Sequence, residues 1–187
     1  AKEARIAEEC PTFRACRHFA ASFGLGEGTF DPRSNICYCA EHCSARHPDK
    51  DTRGSRPYGF PKGWCGLGLM IASEEFKRRR IFEEWDVAFH GTQKDTAVAL
   101  LESEWQLLMP GEVTASGYEL PIRPGHITAT FERDNLFTGE REQFDPMQVF
   151  TSPSIHYCSY GSVYCDRTTF EGHEYQIAFQ LRQEPGT

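Results

Sequence analysis

The feature that most restricts how this chain can fold is a dense cluster of cysteine and histidine residues near its N-terminus. Five of the eight cysteines precede residue 44, and segment 37–47 holds three of them together with two histidines. Zinc prefers thiolate and imidazole ligands, and a structural site takes four of them in a tetrahedron. Since the metal supplies folding free energy, it can order a segment that has little hydrophobic core. We predict a structural zinc site formed by Cys37, Cys39, Cys43 and His47.

The spacing of these ligands differs from the standard zinc-finger patterns, so other ligand sets are open. The second half of the segment has a Cys-x3-Cys-x3-His spacing, which would place its ligands on successive turns of a helix. The competing interpretation is a group of reduced structural cysteines near the surface. Clustering beside histidines favours a metal over a disulfide framework, and so predicts an intracellular setting. Of the intracellular compartments, we expect the cytoplasm rather than the nucleus. The residues that could replace any of the four ligands are Cys10, Cys16, His18, His42 and Cys65.

Composition sets limits on the size and partners of the protein. The 187 residues suffice for one domain with a hydrophobic core and a small appendage. A net charge of -7 argues against a surface that binds nucleic acid. No apolar run approaches the length of a membrane span, so no membrane partner is expected. The first residue is not methionine, and we expect the chain to be part of a longer multidomain protein.

A strand, a tight turn and a helix are predicted in the middle of the chain. Residues 85–90 include a β-branched and aromatic run typical of a buried strand, and it ends at His90. Gly91 follows, where the backbone can approach a ligand closely. Thr92 and Asp95 form a capping pattern before an apolar helical run. An imidazole beside free amide groups can hold a polar, phosphate-bearing ligand, although a half-buried histidine beside a turn glycine is the alternative.

The remaining pattern indicates an α+β fold. Strict alternation of polar and apolar residues over 175–182 predicts the clearest strand, and few helices separate the other strands. Ser154 can cap a helical turn after a strand. The predicted helices are 1–17, 73–82 and 92–101. The predicted strands are 64–71, 113–122, 125–127 and 148–152. The predicted irregular segments are 19–34, 49–63 and 128–147.

Several motifs occur together and in order along the chain, and as a set they are far more specific than any one of them. They cover roughly residues 37 to 187. The motifs are Tyr38-Cys39 to Cys43, Pro61-Lys62-Gly63-Trp64-Cys65, Phe89-His90-Gly91-Thr92, Phe150-Thr151-Ser152-Pro153-Ser154-Ile155, and Phe179 to Gly186. With them the chain resembles the poly(ADP-ribose) polymerase-like (PARP-like) ADP-ribosyltransferases, and is most similar to the PARP-like domain at the end of neuralized-like proteins.

The resemblance implies an ADP-ribosyltransferase fold that clamps NAD between split antiparallel sheets. It divides the chain into a zinc-binding segment, 1–60, and a PARP-like domain, 61–187, that stops before the last strand of the family. In this view His90 holds the ribose on the adenosine side, and Gly91 and Ser154 hold the nicotinamide carboxamide. Tyr157 stacks on the nicotinamide ring, with Tyr160 and Tyr164 as competitors. The remaining implied NAD contacts are Thr92 and, in the loop over the adenine and phosphates, Arg123.

One departure from the family concerns its late glutamate, which grips the ribose and helps to activate the acceptor. Glu174 superficially matches that pattern, but its strand aligns better with the one before the glutamate-bearing strand, so we expect Glu174 to be a solvated residue. The first hypothesis is therefore an NAD-dependent mono-ADP-ribosyltransferase of protein side chains, with His90 and Tyr157 in the catalytic site. The alternatives are a catalytically inactive, zinc-stabilised module that binds NAD or proteins and, ranked last, a zinc-dependent protein-binding or ubiquitin-related module whose active part is the cysteine cluster.

Overall fold

The computed structural model describes residues 2–71, 74–103, 108–114, 117–122, 131–134, 139–144, 149–160 and 165–186. Within these ranges the protein is a mixed α+β structure whose sheets are small and antiparallel, as the sequence predicted. The helices are α1 (Lys2–Glu9), α2 (Pro11–Ala21), α3 (Glu74–Arg78), α4 (Ile81–Glu84), α5 (Lys94–Glu102) and α6 (Ile155–Cys158). The strands are β1 (Ile36–Cys37), β2 (Lys50–Arg53), β3 (Arg56–Gly59), β4 (Cys65–Gly66), β5 (Asp86–Thr92), β6 (Phe131–Asp134), β7 (Arg141–Phe144), β8 (Thr168–Phe170), β9 (His173–Tyr175) and β10 (Ile177–Gln183).

The two strands with the strongest sequence signal pair with each other. β5 and β10 run antiparallel over seven residue pairs, from Ile177 opposite Thr92 to Gln183 opposite Asp86. On its other side β5 is bridged at Phe89 by Ser152, through two backbone hydrogen bonds of 2.7 and 3.0 Å. Phe89, in the middle strand of these three segments, is only 1% exposed.

Helix α5 follows β5 as predicted, but its start differs from the predicted capping pattern. Thr92 is the last residue of β5 and is buried, so its hydroxyl is not placed at the helix end. Gln93 occupies the cap position with extended backbone and makes no capping hydrogen bond through its side chain. The capping prediction for Thr92 and Asp95 is therefore wrong. α5 instead packs through the buried residues Ala97, Ala99 and Leu100.

Two segments expected to be irregular contain β-hairpins. Residues 49–63 include the antiparallel pair β2–β3, and the described part of 128–147 includes the pair β6–β7. Conversely, 113–122 contributes only an isolated bridge between Val113 and Glu119 within its described residues. β2 and β3 are mostly exposed and polar, so they lack the hydrophobic alternation that reveals a half-buried strand.

The side chain of Asp86 holds the β2–β3 hairpin against β5. Its Oδ1 accepts hydrogen bonds from the backbone amides of Ser55 (2.6 Å) and Arg56 (3.1 Å), and the Ser55 hydroxyl donates to both carboxylate oxygens at 3.1 Å. Gly54 turns the hairpin with φ +68°, and a Cβ there would lie 2.5 Å from the Asp86 oxygen. The turn therefore requires glycine.

The buried residues form separate clusters near the N-terminus and around β5. The first contains Ala7, Phe13 and four cysteine side chains, and the second contains Tyr58, Val87, Phe89, Ile155 and Cys158. The sequence indicated helix formers up to residue 17. The structure has two helices there, α1 and α2, with a break at Cys10–Pro11, and both pack against the first cluster. None of the helices in the described ranges is long and apolar enough to cross a membrane.

Candidate functional site

Four buried cysteine thiols converge in the N-terminal cluster. The sulfur atoms of Cys10, Cys37, Cys39 and Cys43 all lie within 4.8 Å of one another, and each side chain is 2–5% exposed. Cys10 Sγ is 3.6 Å from Cys39 Sγ and 3.7 Å from Cys37 Sγ. Sulfurs about 2.3 Å from a central tetrahedral ion are about 3.8 Å apart, so these thiols fit a tetrahedral four-cysteine centre. This group, here called the four-cysteine cluster, can hold a structural metal ion.

Different elements bring the four thiols together. Cys10 precedes α2, and its amide donates to the Ala7 carbonyl at 2.9 Å, which turns the chain sharply between the two N-terminal helices. Cys37 lies in β1 opposite Cys65 of β4. The carbonyl of Cys39 accepts from the amides of Cys43 (3.1 Å) and Ser44 (2.9 Å), which closes the turn that brings Cys43 back to the cluster.

The four thiols differ in their pKa values. Burial opposes ionisation of Cys10, but hydrogen bonds from the Phe13 backbone and the neighbouring thiols outweigh it and lower its pKa to about 7. Burial raises the pKa of Cys43 to about 11 and raises that of Cys37 as well. Burial likewise opposes ionisation of Cys39, whose pKa is lowered because His42 bonds to it through backbone and ring. Thiolates are the metal-binding form.

The predicted ligand His47 does not belong to the cluster. Its ring packs against Tyr38, with ring centres 4.5 Å apart, and stacks on Phe60 at 5.8 Å. Residues 44–46 form a short 3-10 helix, so the predicted placement of ligands on successive α-helical turns is also wrong. Cys10, one of the alternative ligands, takes the fourth position. The signal available for it was a cysteine-proline pair at a break between helix-forming segments.

The other alternative ligands lie beside the cluster or away from it. His42 Nδ1 is 3.7 Å from Cys39 Sγ and 4.0 Å from Cys10 Sγ, at the outer rim of the cluster. Cys65 Sγ is 3.7 Å from Cys37 Sγ but contacts the thiol of Cys16 on its other side. His18 Nε2 bonds to the exposed carboxylate of Glu171 at 3.1 Å.

A second group of predicted residues lies at the end of β5. The half-buried imidazole of His90 is held by a 2.9 Å hydrogen bond between its Nδ1 and the Phe150 carbonyl. A carbonyl only accepts, so Nδ1 carries a proton, and in the neutral imidazole Nε2 then has a lone pair. Among the described residues Nε2 has no hydrogen-bond partner. It can therefore accept a hydrogen bond from a ligand hydroxyl.

Helix α6 lies against the same strand end. After Ser152 pairs with Phe89, the chain turns at Pro153 and α6 folds back onto β5. The Cys158 thiol donates to the Phe89 carbonyl at 2.9 Å and also contacts the backbone amide of Gly91. The structure thus brings the segment containing Tyr157 next to Gly91.

The remaining predicted residues are placed as follows. Ser154 immediately precedes α6, and its side chain makes no capping bond to that helix, contrary to the predicted cap. Tyr157 is 63% exposed, so much of its side chain lies at the surface. Thr92 is 5% exposed, so its side chain is not accessible to a ligand, contrary to the prediction. Arg123 and Tyr164 lie outside the described residues.

Glu174 is a surface residue, as expected. It lies in β9 and forms a 3.0 Å ion pair with Arg167, with both side chains at least 60% exposed. An exposed, paired carboxylate has little reason to act as the ribose-gripping group.

Comparisons of the chain with protein-family models, with curated proteins and with solved structures return no match. The assignment of the two sites depends on their geometry and chemistry alone. The first is a closed, sulfur-rich site suited to a structural metal. The second is an open strand end that combines a polarised imidazole, a glycine backbone and an exposed aromatic ring.

Proposed function

We propose that this chain is an NAD-binding domain of the ADP-ribosyltransferase type, which transfers ADP-ribose from NAD to protein side chains and is stabilised by one zinc ion in the four-cysteine cluster. The observation that supports it most strongly is the fixed tautomer of His90. Its Nδ1–H is committed to the Phe150 carbonyl, which leaves Nε2 as an acceptor beside Gly91. A ribose hydroxyl is a donor of the required kind.

ADP-ribosyl transfer does not need a strong acid or base catalyst. The bond between the ribose C1′ and the nicotinamide nitrogen breaks, and nicotinamide leaves with the bonding electron pair. A nucleophilic side chain of the acceptor protein then bonds to C1′ and loses its proton to solvent. The domain has to orient the ribose and grip the leaving group. His90 orients the ribose, and Tyr157 covers the nicotinamide ring.

The amide of Gly91 is the proposed donor to the nicotinamide carboxamide. In the structure this amide contacts the Cys158 sulfur. A thiol sulfur is a weak acceptor compared with a carboxamide oxygen. A carboxamide oxygen can therefore compete with the thiol for this amide, and Ser154, directly before α6, is the proposed second contact to the carboxamide.

A thermal-shift titration with NAD tests this proposal. Saturation at a hundredfold excess over the dissociation constant stabilises a protein by about 2.7 kcal/mol, which corresponds to roughly 5–11 °C in melting temperature for a chain of this size. We expect His90→Ala to abolish the shift while leaving the melting temperature without NAD nearly unchanged. The matched control is His156→Ala, which removes an exposed histidine of α6. An equal NAD response in wild type and His90→Ala would exclude the proposed role of His90.

A second candidate function is a non-catalytic module that binds NAD or proteins on the same fold. The observation that favours it is the surface ion pair of Glu174, which removes the nearest candidate for the ribose-gripping carboxylate. Incubation with biotinylated NAD and mass spectrometry of the products distinguishes the two. NAD binding without transfer to any side chain would favour the module, and transfer lost in His90→Ala would favour the enzyme.

A further inference from the structure

Within the described ranges β10 pairs with β5 alone, and the pairing of β5 shows which groups of β10 face outward. The backbone amide and carbonyl of Phe89 both bond to Ser152, on the side of β5 away from β10. Hydrogen-bonding groups alternate in direction along a strand, so Ala88 and His90 direct theirs towards β10. Their register partners, Leu181 and Phe179, direct theirs towards β5.

It follows that the intervening residues of β10 direct their main-chain groups away from the sheet. Ala178 and Gln180 are the residues in question, and within the described ranges no hydrogen bond from outside the strand reaches their amides or carbonyls. An edge of this kind is a template for an additional strand. Natural edges are commonly covered, broken by proline or charged, and Ala178 and Gln180 provide none of these protections.

A second row of outward-facing backbone groups lies across from it, in residues 64–70. The even-numbered residues of this segment bond to the N-terminal part of the chain: Trp64 to Tyr38, Gly68 to Asp31, and Met70 to Thr29, each at 2.9 Å. By the same alternation, Cys65 and Leu67 face away from that part, whereas the Leu69 carbonyl accepts from the Ile71 amide at 2.8 Å. Ala178, Gln180, Cys65, Leu67 and Leu69 all line one open cleft of 1260 Å³.

The lining of the cleft is electrically neutral. Its acidic residues are balanced by as many basic ones, and the basic ones are each paired: Arg33 with Asp31 at 2.8 Å, Arg167 with Glu174 at 3.0 Å, and Lys62 with Asp49. Because these two arginines and the lysine are each paired with a carboxylate, none of the three is left to attract an anion. Aromatic and aliphatic side chains, among them Trp64, Phe179 and Leu67, form much of the remaining wall.

We infer that this cleft, here called the edge cleft, takes an extended, uncharged peptide segment of a partner protein, which pairs with β10 as an added strand. Its volume exceeds the roughly 300–1,000 Å³ typical of small-molecule sites, which favours a polymer segment. The main chain of the peptide bonds to Ala178 and Gln180, and alternate apolar side chains fill the neutral walls. The inference does not depend on NAD binding, because His90 and Tyr157 do not line the cleft.

Hydrogen exchange of the free protein gives the first test. The amides of Phe179 and Leu181 are expected to exchange slowly because they bond to β5, whereas that of Gln180 is expected to exchange at least tenfold faster. Slow exchange of the Gln180 amide in the free, monomeric chain would mean that the edge is already covered, and would overturn the proposal.

Selection from a random octapeptide library displayed on phage, against the whole metal-loaded chain, gives the second test. We expect enriched peptides with alternating apolar residues. Gln180→Pro removes only the outward amide, which an edge position tolerates, and should weaken a selected peptide at least tenfold. Gln180→Ala keeps that amide and should bind within twofold of wild type, as should His90→Ala. No enrichment, or equal binding by the proline and alanine variants, would overturn the proposal.

Two further measurements cover other outcomes. If Gln180→Pro lacks a cooperative melting transition, peptides N-methylated at single positions replace it, and insensitivity to methylation at every position would contradict strand addition. Sedimentation of the wild type reports whether a second copy occupies the cleft. A dimer that Gln180→Pro converts to monomer would assign the edge cleft to self-association instead of a partner peptide.

Discussion

Replacing Cys10 with alanine should separate the observed four-cysteine cluster from the ligand set that includes His47. A metal that links Cys10 to Cys37 closes a loop of 27 residues, whereas the other ligands are only a few residues apart. By the chain-entropy relation, closing a loop of that length restricts the unfolded chain by about 12 cal/mol/K, or about 3.6 kcal/mol at 25 °C. For a domain of this size the loss of that constraint alone lowers the melting temperature by roughly 7–14 °C.

The matched control is His47→Ala. His47 packs on Tyr38 and Phe60 and contributes aromatic contacts of about 0.5–1.5 kcal/mol each, so this variant also melts earlier. It should nevertheless keep its metal. The two variants are therefore distinguished by metal content and by the response to a chelator, and not by melting temperature alone.

The assay is calorimetric melting with and without a zinc chelator, together with zinc content per chain from plasma emission spectroscopy. Wild type and His47→Ala should carry about one zinc per chain and lose stability on chelation. Cys10→Ala should lose most of its zinc and show no further effect of chelator. A Cys10→Ala protein that keeps one zinc, beside a His47→Ala protein that has lost it, would refute the assignment.

Three further predictions concern the sheet, its hairpin and a buried phenol. Phe89→Ala should lower the free energy of unfolding in urea by about 3–5 kcal/mol because Phe89 is 1% exposed, whereas Phe150→Ala, at a position 46% exposed, should cost far less. Gly54→Ala should lower the melting temperature by several degrees, since its Cβ would meet Asp86, and a neutral result would show that the turn relaxes. Burial raises the pKa of Tyr38 to about 12, so stability present below pH 10 is lost as the pH rises through 12, and Tyr38→Phe should remove one late-titrating phenol from the absorbance titration at 295 nm.

Elements that bury their own side chains could be predicted from the sequence. β5 and β10 carry apolar runs or strict alternation, and α5 follows β5 within the predicted range. The hairpin β2–β3 could not, because its strands are polar and exposed and its anchor, Asp86, lies about 30 residues further along the chain. Thr92 was misjudged for the opposite reason, since pairing with Ile177 extends β5 through it and removes it from the helix end.

The candidate site shows the same division. Three of the four clustered thiols were named from local spacing, since they share a segment of seven residues. Cys10 is brought in by the packing of α1 and α2 against β1, which local spacing cannot reveal. His47 has the spacing of a ligand but an aromatic environment. For the NAD proposal, the candidate residues could be named from the sequence. The His90 hydrogen bond that fixes its tautomer is seen only in the three-dimensional structure.

The position of the four thiols along the chain has a consequence for how the protein is made. All of them have left the ribosome once residue 43 and a tunnel's length of further chain are synthesised, so the metal can bind early. β5 has to wait for β10, which ends at Gln183. At 5–20 residues per second the roughly 140 intervening residues take on the order of 7–28 s. During that interval the nascent chain carries four thiols that are already able to bind a metal ion, beside a central strand that still lacks its neighbour. Chaperones and competing strands have access to that strand in this period.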